Sequence, residues 1–364
     1  MKKYNSLNGL RAIAAIGIVL MHVRANFDVG VAHHFIYTNV IAKMSDFVFL
    51  FMMISAFSLC CGYYDKFKNG TITPNKFYKR RYSRILPFFS VLVILSIIIP
   101  HSPNKVAVAR APLQFLGDSG FSPYIERVFE GFTELTLSYG LLPNPSMSIM
   151  GVGWFLGVIF VFYMLFPFFI FMIDNKRRSW YSFIVVNILC FITISYFYSD
   201  KFISFNAIPK NIIYNAPFFV LGGILFLHRE LIERIVCKNH LISLSACIIF
   251  SAAYFLWADT KMSYSGVVII CLVMGCWLVF AIGSNSKLLH NPTIDYLGNI
   301  SMEIYLSHML SFRIVKMLNL SDFIHQVDIL YWLSCFMTLL VAIAFSHLVK
   351  YYFIAKLQLI TKRK

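Results

Sequence analysis

Charge is what this chain has little of. Only 13% of its 364 residues are Asp, Glu, Lys or Arg, with 16 acidic against 32 basic side chains. Soluble domains carry about 25%. With 59% hydrophobic residues and a mean hydropathy of +0.71, the scarcity excludes an ordinary soluble fold and points to a polytopic membrane protein. Further absences narrow the chemistry. No CxxC pair and no Cys/His ligand spacing suggests zinc, and the eight cysteines fall mostly inside apolar runs as small packing residues. There is no Walker A and no GxSxG, and Gly151-Val-Gly153 has neither the spacing nor the preceding strand of a dinucleotide fingerprint. No soluble basic face with interleaved aromatics is visible. The net charge of +16 is therefore assigned to cytoplasmic loops and anionic membrane lipid, not nucleic acid. No small-residue cleavage site follows Met1-Lys2-Lys3, so the first apolar run is expected to be an uncleaved span.

What is present is apolar helix. The fold class expected is an all-α bundle of about ten transmembrane helices, near 10–28, 44–63, 85–101, 150–173, 180–198, 211–228, 241–258, 264–283, 296–314 and 329–350. Phe166-Pro167 predicts a kink or tilt in the fourth. With both termini inside, Lys and Arg on inner segments outnumber those outside by about two to one, which favours an N-in/C-in topology. Residues 1–364 are expected to form one integral membrane domain with no soluble domain, low-complexity tract or internal repeat. The longest polar stretch, about 102–148, lies outside; it is either an interfacial cap over an outward cavity or a plain solvated loop.

Two polar side chains interrupt the first span, Arg11 and His22. They lie 11 residues apart, within about 20° of one helix face and about 16 Å apart along the axis. That places a cation at the inner interface and an imidazole just past the middle of the membrane. Intramembrane ionisable groups suggest function. His22 could act as general base towards a hydroxyl or carry an acyl group; the alternative is a helix–helix hydrogen bond. Arg11 reads as a snorkelling anchor or as a fork for phosphate or carboxylate. Arg81 and Arg84, spaced i,i+3 at the inner mouth of the third span, suit a multiply charged phosphate ligand or ordinary positive-inside topology. Ser301, Tyr305 and His308 align on one helix face and could line a cavity, whereas Glu303 reads as packing and Asp46 equally as a cap.

These segments resemble the acyltransferase-3 family of integral membrane O-acyltransferases. Leu7-Asn-Gly-Leu-Arg-Ala-Ile-Ala-Ala with Arg11 and His22 is similar to its Arg/Lys-x10-His signature, and Arg81-Tyr-Ser-Arg84 to its RxxR signature. Phe51-Met-Met-Ile-Ser55-Ala-Phe57 resembles a Phe-Phe-x-x-Ser-Gly-Phe segment, with Ala56 in place of Gly. The stretch from Gly153-Trp154 to Pro167 resembles a Trp-x-Leu helix, with Ile159 where many members have Glu. Leu221-Gly-Gly-Ile-Leu and Gly298 to His308 are similar to later helices. The matches run in order from about residue 6 to 310.

The resemblance implies transfer of an acyl group, usually acetyl from acetyl-CoA, to a hydroxyl of a surface polysaccharide or lipid-linked sugar at the cell inner membrane. It implies catalytic roles for His22 and Arg11, donor binding by Arg81 and Arg84, and a cavity lined by Ser55, Trp154, Tyr305 and His308, with no metal. The chain shows no appended hydrolase-like domain, so any later transfer step is expected within the membrane domain or on a partner. Two other classes remain: a lipid-linked sugar transporter, which calls for repeats or paired broken helices, and an accessory subunit of a polysaccharide assembly complex, which would not need His22.

Overall fold

The computed structural model describes residues 4–27, 34–99, 123–142, 150–197, 205–257, 263–284 and 286–356. Of the described residues 86% are helical, and none lies in a strand. At the centre stands α1 (Ser6–Ala25), and small residues explain why. Without water there is little hydrophobic drive between helices, so close backbone approach holds a membrane bundle together. Ala12, Ala14 and Ala15 are all buried, and α1 packs against α2 (Phe47–Lys68), α11 (Tyr264–Gly283), α12 (Pro292–Asn299), α13 (Ser301–Lys316) and α14 (Val327–His347). At the inner end α12 lies so close that a Cβ on Gly298 would stand 2.3 Å from the Asn8 carbonyl oxygen. The same device joins α2 to α8 (Ile212–Leu227), where a Cβ on Gly222 would stand 2.3 Å from the Met53 carbonyl oxygen.

Six described helical stretches are long and apolar enough to cross a membrane alone: Ser6–Ala25, Ile36–Lys68, Pro74–Ile98, Lys176–Tyr196, Tyr264–Gly283 and Val327–Ile354. Two bent pairs raise the number to as many as eight. In one, α5 (Trp154–Met164) and α6 (Phe166–Met172) meet at 62°, a break beside Pro167, whose ring cannot continue the hydrogen-bond ladder. In the other, α8 turns by 74° into α9 (Arg229–Lys238). The two remaining expected spans fall on α10 (His240–Trp257) and on the α12–α13 pair, which is interrupted at Ile300.

One boundary differs markedly from the apolar pattern. The third helix, α3 (Pro74–Ile98), starts eleven residues before the run expected at 85. Thr73 accepts a hydrogen bond from the Lys76 amide at 3.4 Å, and Pro74 occupies the first turn, where its missing N–H costs nothing. Packing sustains the added turns: Phe77 is fully buried and stacks on Phe166 at 5.2 Å, and the Tyr78 hydroxyl donates to the Met164 carbonyl at 2.6 Å. The RxxR pair therefore sits within a helix and not at its start. On the same side of the bundle, Lys68 at the end of α2 pairs with Asp174 at 2.9 Å, holding that exposed carboxyl below its ordinary value.

Within the long 102–148 stretch, residues 102–122 and 143–148 lie outside the described residues. The described part holds α4 (Pro123–Leu135), packed on α3, and a short turn, Ser138–Leu141, packed on α5. Glu134 fixes this segment. Its side chain is fully buried and accepts a hydrogen bond from the Met150 amide at 3.0 Å. Burial, together with the nearby Glu130 charge, pushes its carboxyl from an ordinary 4.5 up to about 8.

Two outcomes are expected. A group whose folded value is raised lends stability that is full below the unfolded value and lost as pH rises through the folded one. The protection of α4 amides relative to their intrinsic exchange rates should therefore be full below about pH 4.5 and fall through about pH 8, and Glu134→Gln should flatten that dependence. Gly222→Ala should lower thermal stability by about 1–3 kcal/mol, because the added carbon has no room beside backbone; an unchanged melting temperature would contradict the close-approach account.

Candidate functional site

The long α3 and the close packing around α1 bring three arginines to one cavity. Arg11 from α1, and Arg81 and Arg84 from α3, line a space of about 300 Å³ towards the N-terminal ends of these two helices. Each guanidinium of the first two is oriented by neutral side chains. Arg11 donates from Nη2 to Ser58 Oγ at 2.6 Å and from Nη1 to Asn8 Oδ1 at 3.2 Å. Arg81 donates from Nη2 to the Tyr63 hydroxyl at 2.7 Å and lies over that ring at 4.9 Å. Among the described residues none of the three forms an ion pair with a carboxylate, so the cavity keeps their positive charge. The carboxylate in the same wall, Glu303, is taken by Lys350 at 2.7 Å. Such a space favours a ligand that brings its own negative charge.

Rings line the opposite end of the cavity. Phe51, Phe155 and Tyr305 line it there and touch one another, with centroids 5.5 to 6.3 Å apart. Tyr305 is held by a hydrogen bond from its hydroxyl to the Val152 carbonyl at 2.9 Å. One helical turn further out on α13 lies His308, whose ring centroid is 5.9 Å from that of Tyr305 and 5.0 Å from that of His22, tilted by 42°. His22 and His308, from helices far apart in sequence, thus form a pair beyond the aromatic layer. His308 is completely buried. Its Nδ1 lies 2.5 Å from the Tyr305 carbonyl oxygen, which can only accept, so Nδ1 carries the proton. The Nε2 lone pair is then free, and this buried atom has no hydrogen-bond partner. A buried acceptor left unpaired costs about 1–3 kcal/mol.

Of the residues expected at the site, Arg11, Ser55, Arg81, Arg84 and Tyr305 line the cavity. His22 and His308 lie past its closed end. Trp154 does not line it; its ring packs edge-on against Phe155, which does. Ile159, at the position where the resemblance leads one to expect Glu, faces the cavity and leaves that wall uncharged. Asp46 makes no capping hydrogen bond and instead accepts from the Tyr254 hydroxyl at 2.7 Å. Ser58 and Tyr63 escaped the sequence reading. Ser55, Ser58 and Gly62 recur at i, i+3 and i+7 in α2, a polar stripe on one face of an apolar helix that could have revealed them. Among the described residues no three His, Cys, Asp or Glu side chains cluster as metal ligands would.

Fold and cavity together describe a multi-pass membrane protein with an arginine-lined cavity near the N-terminal ends of α1 and α3. Its family follows from comparison: the acyltransferase domain family matches residues 4–348, and the chain belongs to that family. Over 111 residues it is 31% identical to glucans biosynthesis protein C of Salmonella paratyphi B, of Salmonella heidelberg and of Salmonella enteritidis. That stretch covers 29% of this chain and 29% of each of those proteins, so the match spans less than a third of the relatives' length. No solved structure matches the chain.

The hydrogen bond to Arg11 gives a direct expectation. Ser58→Ala should weaken binding of a phosphate-bearing ligand by about tenfold, the effect of losing one bond to a charged group, as measured by titration of purified protein. Unaltered affinity would leave Arg11 as a structural anchor.

Proposed function

We propose that this protein is a membrane O-acyltransferase that moves an acetyl or similar acyl group from acetyl-CoA to a hydroxyl of a surface or lipid-linked carbohydrate at the cell inner membrane. One observation carries the reading: three arginines without carboxylate partners share an inward cavity whose far end abuts a histidine pair. Family membership supports acyl transfer. Relatives named for glucan biosynthesis support a carbohydrate acceptor. The reading treats residues 1–364 as one membrane domain of ten spans with both termini inside.

In this scheme Arg11, Arg81 and Arg84 hold the donor's diphosphate, and the pantetheine arm lies along the cavity towards Tyr305. The rings of Phe51, Phe155 and Tyr305 must part for the thioester to meet His22. There His22 takes the acceptor hydroxyl proton as the oxygen attacks the thioester carbonyl. The carbon–sulfur bond breaks, the carbon–oxygen bond of the ester forms, and the proton passes from imidazolium to the departing thiolate. In the alternative order, an imidazole nitrogen of His22 attacks the thioester carbonyl first, the carbon–sulfur bond breaks and the thiolate leaves with the ring proton as thiol; the acyl group rests on His22 until the hydroxyl attacks it, and the hydroxyl proton returns to the freed imidazole. A stoichiometric burst of free CoA thiol in the absence of acceptor separates the two routes, because only the second releases the thiol before the hydroxyl arrives. In either route His308 is a positioning residue: with Nδ1–H committed to Tyr305, its Nε2, unpartnered in this structure, would accept the N–H of His22 once the adjacent ring turns, and would then fix which His22 nitrogen bears the reactive lone pair.

The transporter reading is served by the two bent helix pairs, but no residue at either break lines the arginine cavity. Loss of acetyl esters from an otherwise intact surface glycan on deletion of the gene supports the enzyme; loss of the glycan itself supports transport or assembly.

His22→Ala should lower acetyl transfer in purified membranes by about 10²- to 10⁴-fold. Persistence of normal transfer at normal protein levels would refute the scheme. His308→Ala should lower kcat by about a hundredfold through loss of alignment with little change in KM for the donor, and His308→Gln, which keeps an acceptor, should recover part of it. A change confined to protein yield would return His308 to packing. Arg81→Ala with Arg84→Ala should raise the donor KM by about tenfold or more.

A further inference from the structure

A second cavity, of about 960 Å³, lies directly inward of the first, and the two share Arg84, Asn299 and Glu303 as a common wall. Its charge comes from two separate elements. Lys76, Lys79, Arg80 and Arg84 recur along α3 at i, i+3, i+4 and i+8, and with Ser83 they face this one space. Lys350, from the turn after α14, faces it from the opposite side. Lys350 is committed to Glu303 and to the Asn299 carbonyl, the latter at 2.6 Å, whereas among the described residues Lys76, Lys79 and Arg80 have no carboxylate partner. Topology alone asks only that cations lie on the inner side. It does not ask that they converge on a single concavity. Two aromatic rings, Phe88 and Tyr351, stand in the same wall, Tyr351 about half exposed.

We propose that this vestibule binds a phosphorylated adenosine, the 3′-phosphate on Lys76, Lys79 and Arg80 and the base against Tyr351. The proposal rests on the donor reading above and divides the donor between the two cavities. The smaller holds the pantetheine arm and the diphosphate; the larger holds the nucleotide. The sizes agree with the division, since small-molecule pockets span about 300–1,000 Å³ and the full donor is larger than a typical single-pocket ligand. The charges agree as well, because a phosphomonoester adds about two negative charges and the vestibule offers three cations without counter-ions. A flat base gains from a ring in the wall, and a lipid headgroup does not. Arg84, common to both cavities, then bridges the diphosphate and the nucleotide end.

The test uses the full chain in nanodiscs of phosphatidylcholine. Binding of adenosine 3′,5′-bisphosphate and of 5′-AMP is measured by titration, and KM is measured for acetyl-CoA and for 3′-dephospho-acetyl-CoA. The bisphosphate should bind at least tenfold more tightly than 5′-AMP, and acetyl-CoA should have the lower KM by a similar factor. Lys76→Gln with Lys79→Gln and Arg80→Gln, all on exposed positions, should bring both preferences close to one. Tyr351→Ala should weaken both nucleotides alike. Equal affinity for the two nucleotides in the wild type, or a preference that survives the triple substitution, overturns the proposal. So does a result in which the substitutions alter only retention of phosphatidylglycerol in mixed-lipid discs, since the phosphate bound would then be a lipid's. If the bisphosphate preference is found but neither thioester supports transfer, the vestibule stands and the donor reading falls. If transfer occurs without the preference, the reverse holds.

Discussion

A guanidinium inside a helix bundle must be hydrogen-bonded or it will not stay there. Arg11 meets that demand with neutral partners alone, the Ser58 hydroxyl and the Asn8 amide oxygen. This choice governs the rest of the site. A carboxylate partner would satisfy Arg11 more strongly but would cancel the charge that a phosphate needs. Hydroxyls orient the fork and leave its field intact. The same solution recurs at Arg81 with the Tyr63 hydroxyl. Ile159 extends it, because a Glu in that wall would place a negative charge among the arginines. Where a carboxylate does line the cavity, at Glu303, a lysine neutralises it.

The bundle serves this arrangement by proximity. Buried alanines along α1 and the bare backbone at Gly298 bring five neighbours close enough to wall a narrow space. The aromatic layer at Phe51, Phe155 and Tyr305 then divides the molecule into an inner region of fixed positive charge and an outer region holding two imidazoles. Under the proposed function a thioester would meet the imidazoles only when that layer parts, which would separate donor binding from chemistry and keep the thioester from water. Tyr305 takes part on both sides. Its ring closes the cavity, and its carbonyl sets the His308 tautomer.

Much of this was legible in the sequence. The scarcity of charge announced a membrane bundle, and the phase of Arg11 and His22 placed a cation and an imidazole on one face of one helix. Pro167 located the bend of the fourth span. What was not legible depends on contacts between distant segments. Nothing local in the apolar run at 85 shows that Thr73 and Pro74 begin the helix, because Phe77 must find Phe166 for those turns to hold. The approach of His308 to His22 joins residues 286 positions apart, and no periodicity encodes it. Trp154 resembled a cavity residue by motif but points one position away from the wall that Phe155 occupies. In the long polar stretch Glu130 and Glu134 are both buried, which the local sequence does not show.

The central claim is that one chain binds the donor from the inner side and carries out chemistry past a closed aromatic layer. Sidedness tests it most directly. Purified protein is reconstituted in sealed vesicles with radiolabelled acetyl-CoA on the side that the inner ends of α2 and α3 face, and with a lipid-linked sugar acceptor accessible only from the opposite side. The account predicts labelled ester on that acceptor, abolished by His22→Ala and by donor supplied on the acceptor's side alone. Labelling only when donor and acceptor share one side would contradict it.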